Sequence, residues 1–281
     1  MTSERGNVAE QLEADGWQRL AALAETFGAE QLAGDVRALA ERIAEGRFYV
    51  ACVGQFKRGK STLLDALIGE AVLPTGIIPV TAVPTVVRYG SPGAARFKTA
   101  NRAWMPLPLA EVECYVSEEH NPENTKNITG VEIFIPSKLL SSGMCFVDTP
   151  GLGSVFAGNT AATHDFIPHI DAAIVVIGAD PPISGEELAV VETVAGQVKD
   201  LHFVLNKADR VTERERGAAG AFARKMLTSR LRRPVSIYEI SAAERMEKRG
   251  PERDWPQFIA DLESLASAPD GRFAREQAGR A

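Results

Sequence analysis

Two glycines, a lysine and two hydroxyl residues form the first group in the sequence with a recognisable chemistry: Gly54, Gly59, Lys60, Ser61 and Thr62. Glycines at this spacing let the backbone turn so that several amide N–H groups point at one anion. A helix that begins near Lys60 adds the positive end of its dipole. The pattern GxxxxGKS predicts a phosphate-binding loop, in which Lys60 reaches the β- and γ-phosphates and Ser61 holds Mg²⁺.

A second phosphate-side motif is the run DTPG at 148–151, which directly follows an apolar run. The Asp148 carboxylate can hold Mg²⁺ through water, and the amide of Gly151 can contact the γ-phosphate. Because such an amide contact ends on hydrolysis, residues 152–154 are predicted to act as a switch.

The run NKAD at 206–209 predicts which base is bound, since it follows another apolar run. The Asp209 carboxylate can accept the N1–H and the exocyclic amine of guanine, whereas adenine has no proton at N1. The stem of Lys207 can cover the base plane, and Asn206 can brace the loop. Ser241 and Ala242 follow the last apolar run and are expected to supply a backbone N–H to the guanine oxygen.

Apolar runs alternate with helical patterns from about residue 47 to residue 245, which predicts an α/β fold. We expect a doubly wound, mostly parallel sheet with flanking helices, preceded by a helical segment over residues 7–45 with a break at Gly28 or Gly34. Residues 100–130 give weak signals, with a short helix at 109–119. The predicted strands are Phe48 to Val53, Thr85 to Tyr89, Arg96 to Thr99, Val131 to Ile135, Met144 to Val147, Ala172 to Ile177, Leu201 to Leu205 and Val235 to Ile240, and the predicted helices are Ser61 to Ile68, Glu186 to Val198 and Glu213 to Leu231.

The composition is that of a globular protein, with 45% hydrophobic and 24% charged residues over 281 positions. The net charge of −6 disfavours broad nucleic-acid binding, so no nucleic-acid partner is expected. Cys52 and Cys145 lie in apolar runs and are predicted to be buried thiols, which indicates a reducing, cytoplasmic setting. No apolar stretch approaches the roughly 20 residues that span a bilayer, so membrane association is expected to be peripheral, at the inner face of the membrane.

The order of these motifs is that of the GTPase superfamily, and the stretch from GKSTLLDALIGE to LPTGIIPVTAVPTVVRYG resembles bacterial dynamin-like proteins. The resemblance implies that Thr81 is the switch threonine, which engages Mg²⁺ and the catalytic water, with Thr75 and Thr85 as weaker candidates. It makes Lys60, Thr81 and Gly151 the expected catalytic residues, with GTP or GDP and Mg²⁺ as the ligands. The predicted organisation is a helical segment at 1–46, a dynamin-type GTPase domain at 47–245 and the start of a helical region at 246–281.

The chain departs from that family in its phosphate loop, where eukaryotic dynamins have Gln-Ser and this sequence has Phe56 and Lys57. Those residues position water and a charge-compensating ion when eukaryotic dynamins dimerise, and Phe56 can do neither. Lys57, which we count among the nucleotide-binding residues, or Arg58 can offer a substitute charge, or either can be a solvated surface residue. The hydrolytic apparatus is therefore expected to differ or to be slow.

The prolines and glycines from Gly69 to Pro84 predict an extended loop. The resemblance also implies partners. Dynamin-like heads pair through the GTPase face, so we expect a homodimer or a hetero-partner there, and this contact is expected to order the part of the loop from Gly76 to Pro84. Dynamins follow the head with a long helical stalk, which this sequence scarcely begins, so a link to membrane remodelling requires a partner or a longer chain. Two alternatives remain: an interaction module that binds GTP with little hydrolysis, and a ribosome-associated GTPase.

Overall fold

The computed structural model describes residues 16–44, 47–75, 83–99, 103–149 and 170–266. The chain divides into two compact units, of which one is Tyr49–Ala268 and the other includes the residues up to Phe48.

The described residues 16–44 form two helices. Helix α1 covers 16–26 and α2 covers Glu30–Ala44. They are separated at Gly28, whose φ of 71° is left-handed, whereas Gly34 lies inside α2. Several apolar side chains of these helices and of the turn between them are exposed, namely Leu20, Leu23, Phe27 and Leu32.

Among the described residues, nine strands form one sheet in the order β4-β3-β5-β2-β6-β1-β7-β8-β9. The strands are β1 Phe48–Val53, β2 Thr85–Arg88, β3 Ala94–Thr99, β4 Met105–Pro108, β5 Ile128–Phe134, β6 Met144–Asp148, β7 Ala172–Gly178, β8 Asp200–Asn206 and β9 Ile237–Glu239.

The sheet is mixed but mostly parallel. Strand β1 pairs with β7, β7 with β8, and β8 with β9, all in parallel. Strand β2 runs parallel to β5 and antiparallel to β6, while β3 is antiparallel to both β4 and β5. The predicted α/β class with a mostly parallel sheet is confirmed. Strand β4 was not predicted, because it lies in the region of weak signals at 100–130. Its two prolines suit its position at the edge of the sheet, since a proline cannot donate a backbone hydrogen bond to a neighbouring strand.

Helices flank the sheet, and two of them begin with a capping box. Ser184 caps α5, Gly185–Gln197, and Thr212 caps α6, Glu213–Leu231, each with a glutamate three residues later. The short helix predicted over 109–119 is a 3₁₀ turn, Leu109–Glu111, followed by a single turn of α-helix. The remaining helices are α3 Lys60–Ile68, α4 Glu113–Val116, α7 Ala242–Met246 and α8 Trp255–Ala266.

The central strands β1, β6 and β7 are buried along their whole length. Cys52 and Cys145 are buried thiols, as predicted, and neither they nor Cys114 form a disulfide. Within the described ranges, no helix has both the length and the apolar character needed to cross a bilayer. Because β1, β7 and β8 are parallel, their carboxyl ends meet at one edge of the sheet, where ligands bind in such folds.

Candidate functional site

The phosphate loop follows β1 and depends on both of its glycines. Gly54 has a φ of 151° and Gly59 a φ of 85°. A Cβ at Gly54 would lie 2.5 Å from the Val176 carbonyl oxygen, and a Cβ at Gly59 would lie 2.7 Å from Nδ2 of Asn206. The loop thus passes so close to the ends of β7 and β8 that side chains are excluded at both positions.

Lys60 begins α3 and is buried beneath this loop. Its Nζ donates to the carbonyl oxygens of Gly54, at 3.1 Å, and Gln55, at 3.4 Å. Burial lowers the pKa of the Lys60 ammonium, and the nearby Asp148 carboxylate acts in the opposite direction. A desolvated cation at a helix amino terminus is the arrangement that binds an anion.

Two of the three predicted metal ligands, Ser61 and Asp148, lie together. Ser61 Oγ donates a 2.7 Å hydrogen bond to Oδ2 of Asp148, and Asp148 is fully buried. Thr149 fixes the end of β6, because its Oγ1 donates to the Cys52 carbonyl oxygen at 2.8 Å. A hydroxyl and a carboxylate oxygen in contact at a phosphate loop match the ligands that Mg²⁺ prefers. These residues therefore fit the metal.

Thr62 and Lys57 are two other predicted nucleotide-binding residues next to the loop glycines and Lys60. Thr62 is half-buried in the first turn of α3. Lys57 is exposed, has a φ of 65°, and places its Nζ 5.3 Å from the centre of the Phe56 ring. Its charge is therefore directed over an aromatic face at the loop surface.

Asn206, at the end of β8, joins three segments. Its Nδ2 donates to the carbonyl oxygens of Arg58, at 3.0 Å, and Gly59, at 3.4 Å. Its Oδ1 accepts the backbone N–H of Ala242 at 3.0 Å. Asn206 thus braces the phosphate loop against the segment that follows β9. Ser241 accepts the backbone N–H of Glu244 and caps α7.

The next residues are the ones that the sequence predicts to contact the base. Lys207 has a left-handed φ of 62°, and its Nζ donates to the Lys57 carbonyl oxygen. Burial is the main cause that lowers the pKa of Lys207, with neighbouring positive charges adding to it. Oδ1 of Asp209 is buried and accepts no hydrogen bond from the described residues. An acceptor held in this state fits a ligand that brings N–H donors.

The predicted switch residues Thr81, Gly151 and 152–154 lie outside the described residues. Of the weaker switch candidates, Thr75 is exposed, whereas Thr85 is buried at the start of β2 with its hydroxyl donated to the Val83 carbonyl oxygen.

The sequence motifs did not predict two buried carboxylates at this site, those of Glu187 and Asp65. Glu187 forms an ion pair with Arg58, so Arg58 is neither a solvated residue nor an uncommitted charge for the phosphates, which were the two alternatives considered for it. Asp65 accepts the backbone N–H groups of Val72 and Leu73 and so anchors the chain that leads to the threonine loop. The capping box at Ser184 was a detectable signal for the helix start, but it does not reveal the partner of Glu187.

Comparison with known proteins gives the family. The family model described as "Dynamin family" matches residues 50–208, more than half of the 281-residue chain. The chain is 33% identical over 219 residues to an uncharacterised protein in the xynA 3' region of Caldicellulosiruptor sp. (strain Rt8B.4), covering 78% of this chain and 54% of that protein. It is 29% identical over 219 residues to a bacterial dynamin-like protein of Nostoc punctiforme, covering 68% of this chain and 31% of that protein.

Solved structures show the same fold. A chain of an oligomerised bacterial dynamin pair, which provides a mechanism for long-range sensing and tethering of membranes, superposes with a TM-score of 0.64 at 17% identity. The match covers 98% of this chain and 46% of that one. The present chain thus spans about half or less of the length of these relatives. The chain belongs to the dynamin family, whose members are GTPases.

Proposed function

We propose that this chain binds GTP together with Mg²⁺ and hydrolyses the nucleotide to GDP and phosphate. The observation that carries the proposal is the junction at Asn206. Its side-chain amide binds the phosphate loop at Arg58 and the segment after β9 at Ala242. A phosphate-binding element and a base-binding element are thereby held side by side, as a nucleotide that spans both requires.

Guanine is the base that the arrangement favours. Asp209 presents a buried Oδ1 that accepts nothing from the described residues. Guanine offers two adjacent N–H donors on one edge, whereas adenine would leave this carboxylate poorly paired. The stem of Lys207, held through its bond to Lys57, covers the base plane.

At the phosphates, water attacks the γ-phosphorus, and the protein stabilises the charge that develops on the oxygens. Lys60 supplies a buried positive charge, and the loop between Gly54 and Gly59 supplies backbone N–H donors. Ser61 and Asp148 would hold Mg²⁺, which when bound supplies further positive charge at the phosphate oxygens. By their resemblance to dynamin switch residues, Thr81 orients the water and Gly151 contacts the γ-phosphate.

Turnover in this proposal depends on pairing of two heads or on a hetero-partner. Phe56 stands in the phosphate loop, where it cannot orient water or supply charge. A facing head would order the segment from Gly76 to Pro84 and complete the site only in the transition state, which raises turnover more than affinity. The resemblance to bacterial dynamins supports a peripheral role in membrane remodelling, exercised through a partner or a longer helical region.

The test is GTP turnover measured over a wide range of protein concentration, with and without anionic liposomes. Specific activity is expected to rise with concentration, and a transition-state mimic of GTP is expected to promote dimers where GDP does not. Lys60→Ala should lose tight nucleotide binding with an unchanged fold, while Lys225→Ala, at an exposed lysine of α6, serves as the control.

Each of three contrary outcomes would overturn one part of the proposal. GTP binding by Lys60→Ala at wild-type affinity would refute the phosphate-loop assignment. Tight binding without phosphate release at any concentration would identify an interaction module in place of an enzyme. Flat specific activity, with a monomer in every nucleotide state, would show that the head works alone.

A further inference from the structure

The Arg58 side chain leaves the phosphate loop and is buried against the start of α5. Its Nε donates to Oε1 of Glu187 at 2.7 Å and its Nη2 donates to Oε2 at 2.8 Å, so the pair is bidentate. Arg58 is 6% exposed and Glu187 is 3% exposed. A planar guanidinium held by two parallel bonds is fixed in orientation as well as in position.

The same guanidinium also binds backbone. Its Nη1 donates to the Pro181 carbonyl oxygen at 2.7 Å. All three guanidinium nitrogens therefore donate to residues 181–187, which are the first turn of α5 and the segment just before it. A charge committed in this way is not a substitute cation for the phosphates, and its effect on the nucleotide must pass through the backbone of the loop.

The glutamate is itself fixed. Glu187 is the third residue of α5, and its Oε2 accepts the backbone N–H of Ser184 at 2.8 Å while Ser184 Oγ accepts the N–H of Glu187 at 3.1 Å. A second tie runs from the loop to the same helix start, because Nε2 of Gln55 donates to Ser184 Oγ at 3.2 Å and to Glu186 at 3.1 Å. Two loop residues are thus anchored to one rigid capping box.

The Arg58 guanidinium fits only because residue 178 has no side chain. A Cβ on Gly178, the last residue of β7, would lie 2.5 Å from Nη1 of Arg58. The backbone of Arg58 is held from the other side, where its carbonyl oxygen accepts from Asn206 at 3.0 Å. The phosphate loop is therefore clamped between the end of β8 and the start of α5.

We propose that Arg58 is a positioning residue, whose ion pair with Glu187 holds the phosphate-loop amides in the shape that binds a nucleoside polyphosphate. This inference rests on the proposed nucleotide binding. Because GDP and GTP share phosphates that the loop amides bind, loss of the clamp weakens both nucleotides together. Fast nucleotide dissociation, more than slow chemistry, is the expected consequence.

The decisive variant is Gly178→Ala, which displaces the guanidinium and removes no charge. Gly185→Ala is the matched control, because a Cβ at Gly185 meets nothing within 4 Å and the residue is the first of α5. Affinity and dissociation rate for fluorescent GDP and GTP are measured well below the melting temperature of each protein. Gly178→Ala is expected to bind both nucleotides about tenfold or more weakly, mainly through faster dissociation, while Gly185→Ala matches wild type.

Glu187→Gln is the second variant, and it decides the matter if Gly178→Ala does not fold. It keeps the size of the side chain and a carbonyl oxygen for Ser184, but it removes the negative charge, and the same loss of affinity is expected. If the variants lower only the melting temperature and dissociation rates stay at the wild-type value, the contact is structural and the positioning role is wrong. Wild-type protein that binds no guanine nucleotide would instead overturn the proposed function and this inference with it.

Discussion

Ser61 Oγ and Asp148 Oδ2 lie 2.7 Å apart although 87 positions separate the two residues in the chain. One belongs to the first turn of α3 and the other ends β6. The contact brings together the two residues that the sequence patterns independently nominate as metal ligands.

Replacement of Ser61 tests this pair. Ser61→Ala removes an oxygen ligand, so the Mg²⁺ concentration needed for half-maximal GTP turnover is expected to rise by at least about tenfold. Ser61→Thr keeps the hydroxyl and is the matched control, for which we expect a value near wild type. An identical Mg²⁺ requirement for Ser61→Ala would remove the residue from the metal site.

Base selectivity tests Asp209. Asp209→Asn replaces a double acceptor with a group that can donate to the extra carbonyl of xanthine, so preference should shift from GTP toward xanthosine triphosphate by about 10- to 100-fold. The measurement is competition for binding between the two nucleotides. Asp200→Asn, at the opposite end of β8, should leave the preference unchanged. If Asp209→Asn retains the guanine preference, Asp209 does not contact the base.

Asp65 is expected to make stability fall as pH rises. Burial raises the pKa of its carboxyl from 3.8 to about 7 in the folded state, so the folded protein holds a proton that the unfolded chain has lost between these values. This stabilising contribution is complete below pH 3.8 and is lost as pH rises through 7. Asp65→Asn keeps the acceptor for Val72 and Leu73, so it should be about 1–3 kcal/mol more stable than wild type at pH 8 and similar at pH 4.

The measurement is urea unfolding at both pH values, without nucleotide and with chelator. Asp65→Ala is the companion variant, since it leaves two backbone N–H groups without their acceptor and should lose about 1–3 kcal/mol throughout. Equal pH profiles for wild type and Asp65→Asn would show that the carboxyl does not titrate in this range.

His202 is expected to cause a loss of stability in acid. Its half-buried ring lies 6.3 Å from the ring of Tyr238 and 6.5 Å from that of Phe258, between centroids. Burial lowers the pKa of His202 below 6.5, although Asp200 and Asp261 oppose the shift. The folded state therefore binds fewer protons than the unfolded chain as pH falls through 6.5, and stability declines there.

His202→Phe keeps an aromatic ring and cannot be protonated, so it should lose about 1 kcal/mol less than wild type between pH 7 and pH 5. The free energy of unfolding is measured at each pH. His120→Phe, at an exposed position, is the control. A wild-type acid profile in His202→Phe would place the titrating group elsewhere.

Elements with strong local signals could be predicted from the sequence almost residue by residue. Strand β1 has the predicted bounds, Phe48–Val53, and α6 has the predicted bounds, Glu213–Leu231. Both elements have signals that are local in the sequence: β1 is a continuous apolar run, and α6 begins with a capping box and has helical periodicity. Strand β4 was missed because its prolines obscure the pattern of an edge strand, which is stabilised by pairing with β3 and not by its own composition.

The chemistry proposed for the site could be predicted from local patterns, because GxxxxGKS and NKAD each carry their functional groups in a few consecutive residues. How these groups are held depends on contacts between segments that are far apart in the chain. The clamp between Arg58 and Glu187 spans 129 positions, and the braces from Asn206 to Arg58 and from Ser61 to Asp148 span 148 and 87. Local sequence patterns predict neither the partners of these residues nor the burial that makes such contacts strong. Both arise when parallel strands bring distant segments to one edge of the sheet.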